Sequence, residues 1–274
     1  MSASELEIFL LMGQANMLGL GRVQDVAPIE HPDIMVFRYG AWHTAREPLF
    51  DSTPRAGIGL GMSFALRLIE EQPGRRVGLV PCAVGGSGMW RWAQGGDLFI
   101  RTLTTAASAM QGGLLRGVLW HHGEGDAAVA SNAAVYEERV RSMINGLRTA
   151  LGGDALPVVM GELGTYLDPK CYPHRGDVND AMAAMARECP HCALVSSEGL
   201  ADDGGRMYFS ARSLRELGVR YAEGHLMLAR EHLTPAHAAT PAPAYPQEPV
   251  LRTPCCLTAR RESAILSLSS TPRH

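Results

Sequence analysis

One ten-residue stretch near the start of the chain, Ile8 to Met17, most constrains the fold. It reads Ile-Phe-Leu-Leu-Met-Gly-Gln-Ala-Asn-Met. Its first half, Ile8 to Met12, is a short continuous apolar run, which is typical of a parallel strand buried on both faces. Because ligands bind beyond the carboxyl ends of the strands in open α/β sheets, the polar Gln14 and Asn16 that follow are candidate site residues. A tight turn with two satisfied amides is the alternative interpretation.

The rest of the chain alternates short apolar runs with helical patterns, which predicts a parallel sheet with helices on both faces. We predict five strands, at residues 8–12, 77–81, 114–120, 156–160 and 193–196. The helices are predicted at 57–72, 98–110, 136–151 and 178–188, followed by a last helix with Ser210 as its N-cap. Residues 19–54 are predicted as one long loop, and such loops in compact domains are usually functional.

Composition divides the 274 residues into one globular domain, residues 1–232, and a tail, residues 233–274. The tail begins with a Pro/Ala-rich run that cannot hold a helix or strand, so we predict it to be disordered or loosely docked. A net charge of −3 and a pI of about 6.4 favour neither nucleic acid nor an anionic membrane as a partner. A small-molecule ligand or substrate, with an acylated or glycosylated compound as one option, is the expected partner, and the oligomeric state is open.

Two features of the chain's start and hydropathy bear on its location. The first seven residues carry two glutamates and no basic residue, which is a poor match to a signal peptide. No apolar run approaches the roughly 20 residues that a membrane helix needs. We therefore expect a cytoplasmic protein that does not span a membrane.

Several separated stretches carry a resemblance to a known family. Besides residues 13–17, they are Ala56–Phe64, Val77–Gly86, Leu119–Asp126 and Arg215–Ala222. In this order they resemble the SGNH-type hydrolases, in the branch that holds the family 6 carbohydrate esterases and the sialate O-acetylesterase-like domains. The resemblance runs from about Leu6 to Arg230. It implies a three-layer α/β/α sandwich, the flavodoxin-like SGNH hydrolase fold, around a five-stranded parallel sheet.

The resemblance also implies a Ser-His-Asp triad, and all three matching positions differ in this chain. The family pattern G-Q-S-N-M has its nucleophilic serine where this chain has Ala15. The pattern D-G-L-H-F-S has its aspartate and histidine where this chain has Gly205 and Tyr208. An alanine methyl cannot attack a carbonyl, and a phenol is a poor general base at neutral pH. The usual covalent step of ester hydrolysis is therefore not expected.

A further block, His121-His-Gly-Glu-Gly-Asp126, departs from the family pattern W-H-Q-G-E-S-D. His122 stands at the glutamine that the resemblance implies as an oxyanion donor. Its ring can donate an N–H, or act as an acid or a base. We name as candidate catalytic residues His122, Tyr208 and Glu124.

The candidate oxyanion and ligand-binding residues flank Ala15 or follow the second predicted strand, and they are Gln14, Asn16, Gly85, Gly86, Ser87 and Trp90. The two glycines let the backbone approach a ligand closely. Ser87 lacks the G-x-S-x-G spacing of a nucleophile elbow, and a loop serine bonded to backbone is its alternative interpretation. We expect no metal ion and no cofactor, because adjacent histidines at a strand end point to opposite sides.

Three interpretations of function are open. The residues slightly favour a repurposed enzyme, in which His122, Tyr208 and Glu124 do non-covalent acid/base chemistry on a small molecule in the former esterase crevice. Gln14, Asn16 and the Gly85 and Gly86 amides would then hold the developing negative charge. The second is a non-catalytic, ligand-binding pseudo-esterase. The third is a carbohydrate O-acetylesterase carrying inactivating substitutions.

Overall fold

Seven strands form one sheet at the centre of the protein, in a computed structural model that describes residues 5–233. They are β1 (Leu6–Gly13), β2 (Ile34–Arg38), β3 (Ala41–Thr44), β4 (Arg76–Pro81), β5 (Leu114–His121), β6 (Val158–Gly161) and β7 (Cys192–Val195). Their order across the sheet is β3-β2-β4-β1-β5-β6-β7. The five predicted strands are β4, β1, β5, β6 and β7, and their order is that of flavodoxin-like folds. All neighbours in this sheet are parallel except β2 and β3.

The prediction of five strands was therefore wrong by one hairpin. β2 and β3 lie inside the stretch 19–54 that the sequence predicts as a loop. β3 is four residues long and carries mostly exposed side chains, so it has no strong apolar signal. β2 begins with four apolar residues, Ile34 to Phe37, but it is only five residues long and lies within a stretch rich in Gly and Pro, which the sequence assigns to the loop. Strands that pair at the edge of a sheet can be short and half-exposed, and periodicity detects such strands poorly.

Helices cover both faces of the sheet. The longer ones are α2 (Gly61–Glu71), α3 (Asp97–Ala109), α6 (Tyr136–Leu151), α7 (Arg175–Glu188) and α8 (Ala211–Leu233). The single-turn helices are α1 (Ala15–Leu18), α4 (Glu124–Ala127) and α5 (Ala130–Ala133), and three 3-10 turns span Val23–Asp25, Met89–Arg91 and Met110–Gly112. One core lies between the sheet and α3, α6 and α7, and a second between the sheet and α2 and α8. The predicted three-layer arrangement is confirmed.

The first residues of helices α2 and α8 can be compared with the starts that the sequence predicts. Helix α2 begins at Gly61 rather than at the predicted residue 57, because the residues before it form hydrogen bonds with the segment that follows α1. Gly57 donates its N–H to Gly19, and Ile58 donates to Gly21. Helix α8 starts as predicted, with the Ser210 hydroxyl accepting the N–H of Ser213 at 3.2 Å in the usual N-cap geometry.

The predicted tail, residues 233–274, lies outside the described residues apart from the last residue of α8. Across residues 5–233, none of the helices combines the length and the apolar character needed to cross a bilayer.

His225, in helix α8, lies in the second core with only 5% of its surface exposed. Its ring packs edge-on against Phe9, with the ring centroids 4.9 Å apart. Burial, together with the charges of Arg75 and Arg116, lowers the pKa of His225 from 6.5 to about 4. The folded protein therefore holds this ring neutral under conditions in which the unfolded chain protonates it.

This pKa shift predicts a pH-dependent loss of stability that the variant His225→Phe should not share. Above about pH 6.5 the ring is neutral in both states and contributes no pH dependence. Between about pH 6.5 and pH 4, the ring is protonated in the unfolded state but stays neutral in the folded state. The free energy of unfolding of the parent should thus fall relative to His225→Phe by about 1.4 kcal/mol per pH unit in this window. Urea unfolding of both proteins at several pH values measures the difference, and parallel curves would contradict the assignment.

Candidate active site

The candidate site lies where β1 and β5 end side by side, which is the switch point of this strand order. Gly13, the last residue of β1, pairs with His121, the last residue of β5. The Gln14 N–H donates to the His121 carbonyl at 2.9 Å, and the Val84 N–H donates to the Gly13 carbonyl at 3.0 Å. The segments after β1, β4 and β5 are therefore joined at one edge of the sheet, as the sequence predicts.

Gln14 and Asn16 tie these segments together with their side chains. The Gln14 amide accepts the N–H of Gly123 at 3.2 Å and donates to the Ser87 carbonyl. The Asn16 amide donates to the Glu124 carboxyl and accepts the N–H of Phe209 at 3.0 Å. Both side chains are buried. They fix the loops around Ala15, the residue between them.

Ala15 stands where two cavities meet. The first, here called the arginine cavity, has a volume of about 500 Å³ and is lined by Ala15, Gly85, Gly86, Tyr208, Arg55 and Arg101 among others. The second, the glutamate cavity, has a volume of about 290 Å³ and is lined by Gln14, Ala15, Gly86, Glu124, Gly125, Tyr172, Met207 and Tyr208. Both volumes are near or within the range of small-molecule sites. Ala15, Gly86 and Tyr208 belong to both cavities.

Tyr208 is half-buried and faces the same space as Ala15, with the Arg55 guanidinium 5.6 Å from the centre of its ring. Gly205 is exposed and is not among the residues lining these two cavities. Its N–H donates to the Asp203 carboxylate at 2.9 Å. Of the two residues that match the aspartate and histidine of the family pattern, the loop 202–208 thus brings only Tyr208 to the lining of these cavities.

Glu124 forms part of the wall of the glutamate cavity. One carboxyl oxygen accepts the Asn16 amide, and the other, Oε2, is buried with no hydrogen-bond partner among residues 5–233. Burial raises the pKa of Glu124 above its usual range. A raised pKa favours the protonated carboxyl, which can donate a hydrogen bond.

His122 lies behind the site rather than in it. Its ring is fully buried and stacks between Trp120 and Tyr136, with centroid distances of 4.7 and 5.9 Å. Its Nε2 lies 2.9 Å from the Ser87 carbonyl, which can only accept, so this nitrogen carries the proton. Burial lowers the pKa of His122 to about 3. Both ring nitrogens have partners within the fold, and the role of His122 as a catalytic acid or base or an oxyanion donor stays a prediction.

Ser87 is also used within the fold. Its hydroxyl donates to the Val84 carbonyl at 2.7 Å and accepts the Trp92 indole N–H at 2.9 Å, and the residue is buried. These contacts match the alternative of a loop serine bonded within the fold, and the ligand-binding role of Ser87 stays a prediction. Trp90, by contrast, is 67% exposed and lies beside the loop that carries Gly85 and Gly86, and its predicted stacking role stays a prediction.

The sequence did not single out the two arginines of the arginine cavity. Arg55 precedes helix α2, and Arg101 lies on α3, where one guanidinium nitrogen donates to the Cys82 carbonyl at 3.0 Å. Neither belongs to a recognisable motif, because each reaches the cavity from a loop or helix face distant from Ala15 in sequence. Among residues 5–233, no three or more His, Cys, Asp or Glu side chains are grouped so as to hold a metal ion.

Comparison with known proteins identifies the family. The model of the carbohydrate esterase family described as sialic acid-specific acetylesterase matches residues 5–227. A protein described as a probable carbohydrate esterase, from Arabidopsis thaliana, is 29% identical over 244 residues, which are 80% of this chain and 90% of that protein. The chain therefore belongs to the sialic acid-specific acetylesterase family of carbohydrate esterases.

Solved structures agree with this assignment. The crystal structure of an Arabidopsis thaliana protein superposes with a TM-score of 0.74 at 26% identity, covering 82% of this chain and 99% of that one. A carbohydrate acetylesterase from Xanthomonas citri superposes with a TM-score of 0.63 at 18% identity, covering 83% of this chain and 56% of that one. At that identity the second comparison shows a shared fold alone.

Proposed function

We propose that this chain is a non-hydrolysing member of its family, which binds an O-acetylated, carboxylate-bearing sugar in the crevice around Ala15. The observation that carries the proposal is the alanine methyl at the junction of the two cavities, between Gln14 and Asn16, whose side-chain bonds are intact. A nucleophile is needed there for covalent ester hydrolysis, and alanine cannot supply it. The chain therefore has a ligand-sized crevice but no side chain at residue 15 that could attack an ester.

The charges of the arginine cavity support an anionic ligand. Two guanidinium groups, Arg55 and Arg101, line it with one carboxylate, Asp51, so positive charge is in excess. Guanidinium groups pair with carboxylates through paired, charge-assisted hydrogen bonds. The family description names sialic acid, which is a sugar that carries a carboxylate. Charge and family therefore favour the same ligand class.

Calorimetric titration with O-acetylated N-acetylneuraminic acid tests the proposal. We expect saturable binding by the parent chain. The variant Ala15→Leu, which fills the junction of the cavities, should weaken binding at least about tenfold, a loss of about 1.4 kcal/mol. The matched variant Ala15→Ser adds one hydroxyl and should still bind. Absence of binding by the parent, or equal affinity of parent and Ala15→Leu, would contradict the proposal.

Acid/base chemistry by Glu124 and Tyr208 is the second candidate, favoured by Glu124 Oε2 at the cavity wall, which has no hydrogen-bond partner in the described part of the chain. A buried carboxyl with a raised pKa is a suitable general acid. In this case the ligand would be converted without release of acetate. Loss of that conversion in Glu124→Gln, with binding retained, would identify this function, whereas a ligand recovered unchanged would exclude it.

A further inference from the structure

The turn between β2 and β3 carries an aromatic residue, Tyr39, at a position where such a residue lowers the stability of a hairpin. β2 and β3 are joined by two residues, Tyr39 and Gly40, between the paired Arg38 and Ala41. Both turn residues have positive φ, +52° and +76°, as in a type I′ turn. Asn-Gly fills this turn with little strain, whereas a bulky residue with positive φ is uncommon. Tyr39 is also 87% exposed, so packing in the core does not hold it there.

A hydrogen bond orients this exposed ring. The Tyr39 hydroxyl donates to the Asp51 carboxylate, across from the hairpin tip. The two residues line a third cavity, here called the hairpin cavity, with a volume of about 440 Å³. Its other walls are rich in hydrogen-bonding groups, from Arg38, Arg101, Thr104, Thr105 and Ser108.

The hairpin cavity adjoins the arginine cavity. The two share three lining residues, Asp51, Pro81 and Arg101. Since the arginine cavity begins at Ala15, one groove leads from Ala15, past Arg101, to the ring of Tyr39. This groove offers room beyond the unit bound at Ala15.

We propose that Tyr39 is the stacking platform of a second sugar subsite, so that the chain binds an oligosaccharide whose acetylated, terminal unit lies at Ala15. This inference rests on the proposed function and names the ligand as an oligosaccharide. The face of a tyrosine ring offers an apolar surface to the C–H groups of a pyranose, and its hydroxyl remains hydrogen-bonded. Guanidinium, carboxylate and hydroxyl groups along the groove match the donors and acceptors of sugar hydroxyls. The positive φ of an exposed aromatic residue is accounted for by ligand binding.

The test compares two probes, free O-acetylated N-acetylneuraminic acid and the same acetylated sugar as the terminal unit of sialyllactose. We expect the parent chain to bind the trisaccharide roughly tenfold more tightly than the monosaccharide. Tyr39→Asn should abolish this gain and leave the affinity for the monosaccharide unchanged. Because asparagine suits the turn, this variant should unfold at the same or a higher temperature than the parent. Tyr39→Phe, which keeps the ring, should retain most of the gain.

The outcomes separate the two proposals. Equal affinity of Tyr39→Asn and the parent for the trisaccharide would overturn the second subsite, as would a parent that binds both probes equally. In either case, binding of the monosaccharide would still support the proposed function. Failure of the parent to bind either probe would overturn the proposed function and the second subsite with it.

Discussion

The triple variant Ala15→Ser, Gly205→Asp and Tyr208→His is expected to hydrolyse 4-nitrophenyl acetate at least about 100-fold faster than the parent chain. The new serine and histidine would line the same two cavities that Ala15 and Tyr208 line in the parent chain. An aspartate three residues before the histidine would orient its ring. Catalysis by such a unit exceeds that of its separate parts by orders of magnitude, so the gain should be large. The measurement is the rate of nitrophenol release, corrected for the buffer.

Two partial variants act as controls for this result. Ala15→Ser alone has a nucleophile without a base, and Gly205→Asp with Tyr208→His has a base without a nucleophile, so both should stay near the parent rate. Activity in Ala15→Ser alone would mean that another side chain serves as the base. Hydrolysis by the parent itself, well above the buffer rate, would show that the three positions are not those of a lost triad.

Replacing Gly13 by alanine is expected to prevent stable folding. Gly13 has a φ of +137°, and a Cβ atom at this residue would lie 1.9 Å from the His121 carbonyl oxygen. This contact joins the two central strands, β1 and β5, so neither backbone can move without breaking the pairing beside the site. We expect a loss of more than about 4 kcal/mol in the free energy of unfolding, or no soluble protein. Chemical unfolding followed by circular dichroism measures it.

Gly40→Ala is the matched control for Gly13→Ala. Gly40 also has a positive φ, +76°, but its added Cβ would meet no atom of residues 5–233 within 4 Å. Only the backbone strain remains, which costs roughly 1–2 kcal/mol. If Gly13→Ala were no less stable than Gly40→Ala, close approach of β1 and β5 would not be what requires glycine at the end of β1.

Much of the fold could be predicted from the sequence because its core strands are continuous apolar runs. Ile8 to Met12 is fully buried in the structure, and the five strands from β1 and β4 to β7 were identified in this way. The hairpin of β2 and β3 was not identified, since β3 is mostly exposed and the turn is Tyr39-Gly40 rather than the usual Asn-Gly.

The site was only partly predictable, for a physical reason. Gln14, Asn16 and Glu124 follow strand ends, and strand ends meet at one edge of the sheet, so their proximity could be inferred. The orientation of His122 could not, because the packing of Trp120 and Tyr136 around its ring is set by helix α6 and the strand together. Arg55 and Arg101 come from segments with no motif, so only the folded chain brings them to the cavity.

The most direct test of the central claim is one proton NMR experiment on the parent chain with O-acetylated N-acetylneuraminic acid. Saturation transfer from protein to ligand reports binding, and the methyl signal of free acetate reports hydrolysis in the same sample. We predict saturation transfer, with the ligand signals unchanged and no acetate above the protein-free control after prolonged incubation. Steady growth of the acetate signal, abolished by filling the crevice with Ala15→Leu, would contradict the account and show that this chain is a working esterase.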